Sequence, residues 1–411
     1  MQIDSSNLAS LLNAFPLPTL LLRDGLVICS NTAALRLLPE VTTGSPCPPA
    51  FLYLLGSEGG DRISVSSLGG QDYIVSASET DMGLMLVLRP SGGNIPYDGY
   101  ANLLSEQVRR QLSTLLAATQ SMARASRDNS SEQSEKLQAL MEITEALSHA
   151  SQSKPSEQSG KLMALLGATR AFTEASSQDN TSEQDGKLFA LLSQSTHRLL
   201  RVLGSDDLTR RLAASDNPCK TTPMDLTFFC RELCDQVETL SKEAGLSFQP
   251  EIDCLPLFMI GDPELLRQML LSLISNAMKA TPPNGRFGLR LISQKGKAIF
   301  TVWDEGSGMN SESLSTLFQV GVLPPHPLRG LGVGLSNAQR IASLHGGVLM
   351  VESREGSGVR VTISLPLCPI SSLPLRTPKT SLAPASNYSP VWVELSDTLP
   401  WQAFLSQFMD E

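Results

Sequence analysis

The chain has 411 residues, of which 41% are hydrophobic and 18% charged, with a formal net charge of −9; this length allows two or three domains, and the acidic balance leaves no basic stripe for nucleic acid. No apolar run approaches the roughly 20 residues of a membrane-spanning helix, and no charged-then-apolar leader opens the chain, so a cytoplasmic protein without membrane insertion is expected. The seven cysteines contain no C-x-x-C pair. Cys230 and Cys234 share a helical face in Phe228-Phe-Cys-Arg-Glu-Leu-Cys234, which predicts buried reduced thiols and not metal ligands.

Residues 1–95 show short apolar runs broken by turn signals. The stretch from Leu11 to Ala34 reads as a strand, a turn at Asp24-Gly25, a second strand and a helix beginning at Asn31. Later strand candidates are Asp72-Tyr-Ile-Val-Ser-Ala-Ser and Met82-Gly-Leu-Met-Leu-Val-Leu-Arg. This order resembles the opening of a PAS sensor domain. No residue in it announces haem, flavin or metal binding.

Residues 96–212 contain an internal repeat. Ser-Glu-Gln recurs at Ser105, Ser131, Ser156 and Ser182, at spacings of 26, 25 and 26 residues, each time ahead of a similar apolar stretch such as Leu162-Met-Ala-Leu-Leu166. The pattern predicts about four helices of roughly 18 residues, each near 27 Å long. A narrow apolar face makes each helix depend on neighbours, so a bundle completed by a second chain is expected, a homodimer.

Farther on, Leu266, Met269, Leu270, Leu273, Ile274 and Ala277 fall at helical spacing, with Asp262 as cap and Pro282-Pro283 as terminator. Asn276 and Lys279 lie three residues apart and point to one side. A carboxamide there can hold a hydrated Mg²⁺, and an ammonium can reach phosphate or remain on an exposed helix face. Two glycine clusters follow, Asp304-Glu-Gly-Ser-Gly-Met309 and Arg329-Gly-Leu-Gly-Val-Gly-Leu335. Each suits main chain pressed against a nucleotide, with N–H groups turned toward phosphate oxygens ahead of a helix; each alone is equally a tight turn.

Residues 369–385 are rich in Pro and Ser and read as a linker. Within 369–411, Val391-Trp-Val-Glu-Leu is then predicted as a short strand and the segment from Leu399 as an apolar helix. Trp392, Trp401, Phe404 and Phe408 would anchor that tail in cis or on a partner.

Residues 219–368 together resemble the ATP-binding domain of bacterial sensor histidine kinases, a branch of the gyrase/Hsp90/kinase/MutL ATPase fold. The resemblance rests on Met224-Asp-Leu, the Asn276 helix, Asp304-x-Gly-x-Gly, Gly330-x-Gly-x-Gly334-Leu-Ser, His345-Gly-Gly and the closing strand pair from Val348 and Val359. It implies an α+β multidomain protein: a PAS-like α/β sensor, a bundle of repeated short helices and a two-layer α/β sandwich that binds ATP and Mg²⁺. It assigns Asp304 to the adenine amino group, Gly306 and Gly308 to backbone passing the base, Asn276 to Mg²⁺ with Lys279 nearby, and Gly330, Gly332, Gly334 and Leu335 to the end of a phosphate lid. Arg329 stands where a γ-phosphate contact would be; Asp304 as a plain turn residue is the rival assignment. Superfamily members that hydrolyse ATP carry a glutamate four residues before the Asn, whereas this chain has Ser272, which cannot serve as a general base at neutral pH.

The resemblance also implies a phospho-accepting histidine in a Ser-His-Glu-Leu-Arg-like motif. The nearest match, Ser105-Glu-Gln-Val-Arg109, has Glu106 at that position, and a carboxylate has no imidazole nitrogen to form a phosphoramidate; Glu106 as a helix-capping residue is the simpler assignment. His149 and His197 lack acidic neighbours and are expected on helix surfaces, and His345 is the family's structural histidine. The expected function is an ATP-binding kinase homologue in two-component signalling, working with a response regulator or a partner kinase. The alternatives are a catalytically silent ATP-responsive scaffold, acting through helix contacts, and a Ser/Thr kinase like the anti-sigma regulators.

Overall fold

The computed structural model describes residues 12–13, 15–55, 61–68, 70–91, 183–213, 219–252, 255–310, 313–314, 317, 333–368 and 389–404. Within them the fold is mixed α+β, organised on one ten-stranded sheet.

The N-terminal part supplies β1 (Thr19–Arg23), β2 (Leu26–Ser30), α1 (Thr32–Leu37), a 3-10 turn (Pro49–Leu55), β3 (Asp61–Leu68), β4 (Gln71–Thr80) and β5 (Gly83–Pro90). Asp24 (φ 52°) and Gly25 (φ 76°) both take positive φ, the turn that matches the twist of a two-residue hairpin. Asn31 caps α1 by accepting from the Ala34 amide at 2.9 Å, and its own amide donates to Leu17 O at 2.7 Å. The strand, turn, strand and helix expected here are therefore present. The five strands lie in the order β2-β1-β5-β4-β3, all antiparallel, over a core that includes Leu20, Phe51, Leu54, Leu86 and Leu88.

The C-terminal part begins with β6 (Thr222–Asp225) and α3 (Leu226–Glu243), then β7 (Ser247–Ile252), β8 (Phe258–Gly261) and α4 (Pro263–Ala280). It continues through β9 (Arg286–Gln294), β10 (Lys297–Asp304), α5 (Gly334–Leu344), β11 (Val348–Ser353) and β12 (Val359–Pro366). Asp225 caps α3 and Asp262 caps α4, each through side-chain bonds to two first-turn amides. The apolar stripe predicted on α4 is buried throughout. Strand order is β11-β12-β10-β9-β7, with only β7 and β9 parallel, and Pro250 is tolerated because β7 is the outer edge. α3 packs on β7 and β9, α4 on β9 and β10, and α5 on β11 and β12. Cys230 and Cys234 are buried in α3, and burial pushes the Cys234 thiol up to about 12, so both are inert packing groups.

Two features were not foreseen. First, β3 pairs with β11 in antiparallel register, Met350 opposite Ser64 through Ser353 opposite Asp61, so one ladder joins the N-terminal sheet to the C-terminal one. Second, the last 16 described residues fold back into the helical layer. Val391-Trp-Val-Glu-Leu, expected as a strand, is helix α6 (Pro390–Leu395), because Pro390 sits at the first helical position and Val391 and Leu395 bury one turn apart. A 3-10 turn (Trp401–Phe404) follows.

The expected repeat helices are corrected where they can be compared. The fourth is α2 (Glu183–Ala213), 31 residues and not about 18. Leu199, Leu203, Leu208 and Leu212 extend its buried face well past the repeat. The other three repeats, and with them Glu106 and His149, lie outside the described residues. His197 on α2 is not a surface residue: it is 1% exposed, bonded to Ser193 O at 2.8 Å, with its ring 5.3 Å from Phe404. The tail covers it, which nothing in its own neighbourhood of sequence announces.

Candidate functional site

Inward residues alternate along β10: Ala298, Phe300, Val302 and then Asp304, the first three at most 2% exposed. Strand parity thus delivers a carboxylate at the end of an apolar stripe, 8% exposed. Asp304 Oδ1 accepts from the Gly306 amide at 2.9 Å. Burial pushes its carboxyl up, opposed by hydrogen bonds from the Gly306 and Val359 backbone.

The loop after Asp304 is pressed between other main chains. A Cβ on Gly306 would stand 2.5 Å from Ala280 O at the end of α4. Gly308 has φ +65°, and a Cβ there would meet Arg354 O at 2.1 Å; one on Gly358 (φ +76°) would meet Asp304 O at 1.9 Å. Ser353 ties the two loops together, its hydroxyl accepting from Met309 N at 2.8 Å and donating to Gly358 O at 2.9 Å. Ser353 was read only as part of a closing strand, and Gly358 was not singled out. The signal that would have found them is a buried serine ending one strand of a hairpin whose turn contains two glycines.

Across from this loop, α4 presents Asn276, exposed, and Lys279, half-buried. A Cβ on Gly334 would lie 2.5 Å from Ser272 Oγ and 3.8 Å from Asn276 Nδ2. The last glycine of the second cluster therefore seats the start of α5 directly on α4, beside Asn276. Ser272, which departs from the family's usual residue, is short enough to permit that approach. Val333 gives α5 no side-chain cap, and Leu335 is a core residue at 8% exposure. Arg329, Gly330 and Gly332 lie outside the described residues.

Lys279 does not stand on an exposed helix face. Its Nζ holds Asp397 of the tail at 3.1 Å, and burial together with the nearby Arg201 lowers its pKa despite that carboxylate. His345 is structural as expected: its Nε2 accepts from Asp262 N at 2.9 Å while Nδ1 lies 2.8 Å from Ile341 O, which requires the neutral tautomer with the proton on Nδ1. It anchors the cap of α4 to the end of α5.

Asp304, Asn276 and Gly334 thus border one region of the domain, and residues 261–369 match the family described as histidine kinase-, DNA gyrase B- and HSP90-like ATPase. Over this region the chain is similar to bacterial sensor histidine kinases. It is 38% identical over 110 residues to the circadian input-output histidine kinase CikA of Synechococcus elongatus, covering 26% of this chain and 15% of that protein. It is 33% identical over 130 residues to the histidine protein kinase DivJ of Caulobacter vibrioides, covering 31% and 22%. Among solved structures, full-length ShkA in complex with AMPPNP aligns over 55% of this chain and 46% of that one, at 24% identity and a TM-score of 0.43. The matched stretches are a small part of the curated relatives. Within the kinase-type domain, the mixed α+β architecture agrees with the fold expected, and among the described residues no helix is long and apolar enough to cross a membrane.

The residues present suit a magnesium nucleotide. Asn276 is an exposed neutral oxygen donor beside the uncapped start of α5. Among the described residues no group of three or more His, Cys, Asp or Glu side chains converges to hold a metal.

Proposed function

We propose that the kinase-type domain binds Mg-ATP and that the chain acts in two-component signalling with a divergent phospho-acceptor. Asp304 takes the adenine amino group, and Gly306 and Gly308 let the main chain pass the base. Asn276 is the protein ligand of Mg²⁺, which on binding would offset phosphate charge. Gly334, preceded by Gly330 and Gly332, brings the positive end of α5 to the phosphates; Lys279 and Arg329 are the cations nearest in sequence to those groups. The observation that carries this is the buried Asp304 at the end of an apolar strand face, ringed by three glycines whose Cβ atoms would collide with backbone.

Ser272 leaves no side chain at that position to activate water, so these residues favour holding the nucleotide over hydrolysing it. The N-terminal sheet, in the order β2-β1-β5-β4-β3, supports the PAS-like assignment for 1–95, and the boundaries 96–212 and 369–411 bracket the helical region and the tail. With Glu106 at the acceptor position, the phosphoryl group would go to a histidine on a partner kinase or the chain would relay conformation only. A homodimer in the cytoplasm, meeting a response regulator, completes the reading.

Calorimetry with AMPPNP in magnesium buffer tests the first step. Binding by the wild type, weakened by about 2 kcal/mol in Asp304→Asn through loss of one hydrogen bond to a charged group, is the expected result. Equal binding by both would remove Asp304 from the purine. Incubation with γ-labelled ATP then separates the two outcomes: label on an added kinase homologue supports transfer in trans, and nucleotide binding without label supports the scaffold.

A further inference from the structure

The tail bridges two elements: α2, which precedes the kinase-type domain, and α4, which carries Asn276. Its polar contacts are uneven. Toward α2, Gln194 donates to Leu399 O at 2.7 Å and to Ser396 O at 3.3 Å. Arg198 donates to Ser396 O at 3.2 Å, and Arg201 pairs with Glu394 at 3.2 Å and with Asp397. Lys187 lies over the Trp401 ring and His197 against Phe404. Toward α4 there are the Ser275 hydroxyl to Glu394 O at 3.2 Å, the Thr398 hydroxyl to Met278 Sδ at 3.9 Å, and the Lys279–Asp397 pair at 3.1 Å. Leu395, Leu399 and Phe404 are at most 2% exposed, and burying such side chains is favourable in proportion to the apolar area removed from water. Apolar burial therefore seats the tail, while one carboxylate shared among Arg198, Arg201 and Lys279 fixes how α2 and α4 face each other.

We infer that residues 390–399 are a built-in brake on the nucleotide site: Asp397 occupies Lys279, and the phosphates of a bound nucleotide compete for that ammonium and loosen α4 from the tail. The inference rests on the Mg-ATP reading given above. Lys279 follows Asn276 by three residues on the same helix, so a phosphate chain held at Asn276 is within the neighbourhood of its ammonium. A triphosphate carries several negative charges against the single charge of Asp397, and Arg198 and Arg201 continue to satisfy Asp397 when Lys279 leaves. The weaker set of contacts is the one that opens: the tail stays on α2 and α4 loosens from it, while α2 keeps its own bond to the kinase-type domain, Asn337 to the Thr209 hydroxyl at 3.0 Å.

The test uses the full chain. Asp397→Asn keeps the shape of the tail and its apolar seat but removes the charge; it is expected to bind Mg-AMPPNP roughly tenfold more tightly than wild type, because the competent arrangement no longer competes with the closed one. On the wild type, amide hydrogen exchange over 390–399 should rise when Mg-AMPPNP is added, a readout that stands even where the variant fails to fold. Equal affinities together with unchanged or slower tail exchange would overturn the brake while leaving the nucleotide site intact. No heat with either protein would remove the nucleotide reading and the brake with it.

Discussion

Among the described residues, two of the junctions that hold the kinase-type sheet and helices to the remainder of the molecule have opposite character. At β3–β11 the joint is main chain: a four-pair ladder, reinforced by the Ser64 hydroxyl on Leu349 O at 2.7 Å. Arg62, 2% exposed, donates to Leu54 O at 2.6 Å and lies between Glu79 at 2.9 Å and Glu352 at 3.4 Å. At α2–tail–α4 the joint is side chain, an apolar seat with a cluster of charges. Ladder bonds are insensitive to composition and break cooperatively; a charge cluster responds to pH, salt and competing anions. The first junction suits permanence and the second suits control.

The largest expected effect is at the ladder. Arg62→Met leaves Glu352 facing the interior without its cation, and removing one partner from a buried ion pair costs about 3 kcal/mol or more. Urea unfolding should show that loss, and hydrogen exchange should rise in β3 and β11 before it rises in the tail. Loss confined to the tail would reverse the ranking of the two joints.

Acid should act on the other junction first. Burial lowers the His197 pKa from 6.5 to about 4, so the folded state resists its charging. A depressed folded value means this contribution is complete above pH 6.5 and is lost as the pH falls toward 4, about 3 kcal/mol in all. Because the ring faces Phe404, tail exchange should accelerate across that window, and His197→Phe should flatten the dependence. Wild-type stability that does not change between those two pH values rejects the assignment.

A smaller step isolates the polar seat. Gln194→Leu leaves the Leu399 carbonyl without its donor, costing about 2 kcal/mol, while Ser396 O keeps Arg198. Exchange in the tail should rise with no change at β3–β11. Coupled opening of both would mean that the two joints form one cooperative unit.

What the sequence disclosed follows from how local each signal is. The α4 stripe, the Asp24-Gly25 turn and the Asn31 cap all depend on neighbours within a few residues, and each was legible. The β3–β11 pairing joins residues nearly 300 positions apart, and an edge strand carries no mark of which strand it will meet. His197 and Val391-Trp-Val-Glu-Leu were misassigned for one reason. Each is apolar or neutral enough for several environments, and only the folding back of the tail selects one. Lys279 was read for the ligand it might reach, whereas its nearest anion, Asp397, lies 118 residues away in the chain.

The smallest effect concerns a residue at neither junction, and it separates function from stability. Burial raises the Asp304 pKa, so the folded state carries a carboxylate it would ionise less readily than the unfolded chain does. That penalty is zero in acid and sets in as the pH rises past the ordinary aspartate value. Asp304→Asn removes the charge and retains an oxygen for the Gly306 amide, so the variant should melt at or slightly above the wild-type temperature at pH 7 and lose that margin near pH 3. Exchange at both junctions should be unchanged. A variant less stable than wild type at pH 7 would mean that Asp304 is retained for the loop it supports and not for a bound base.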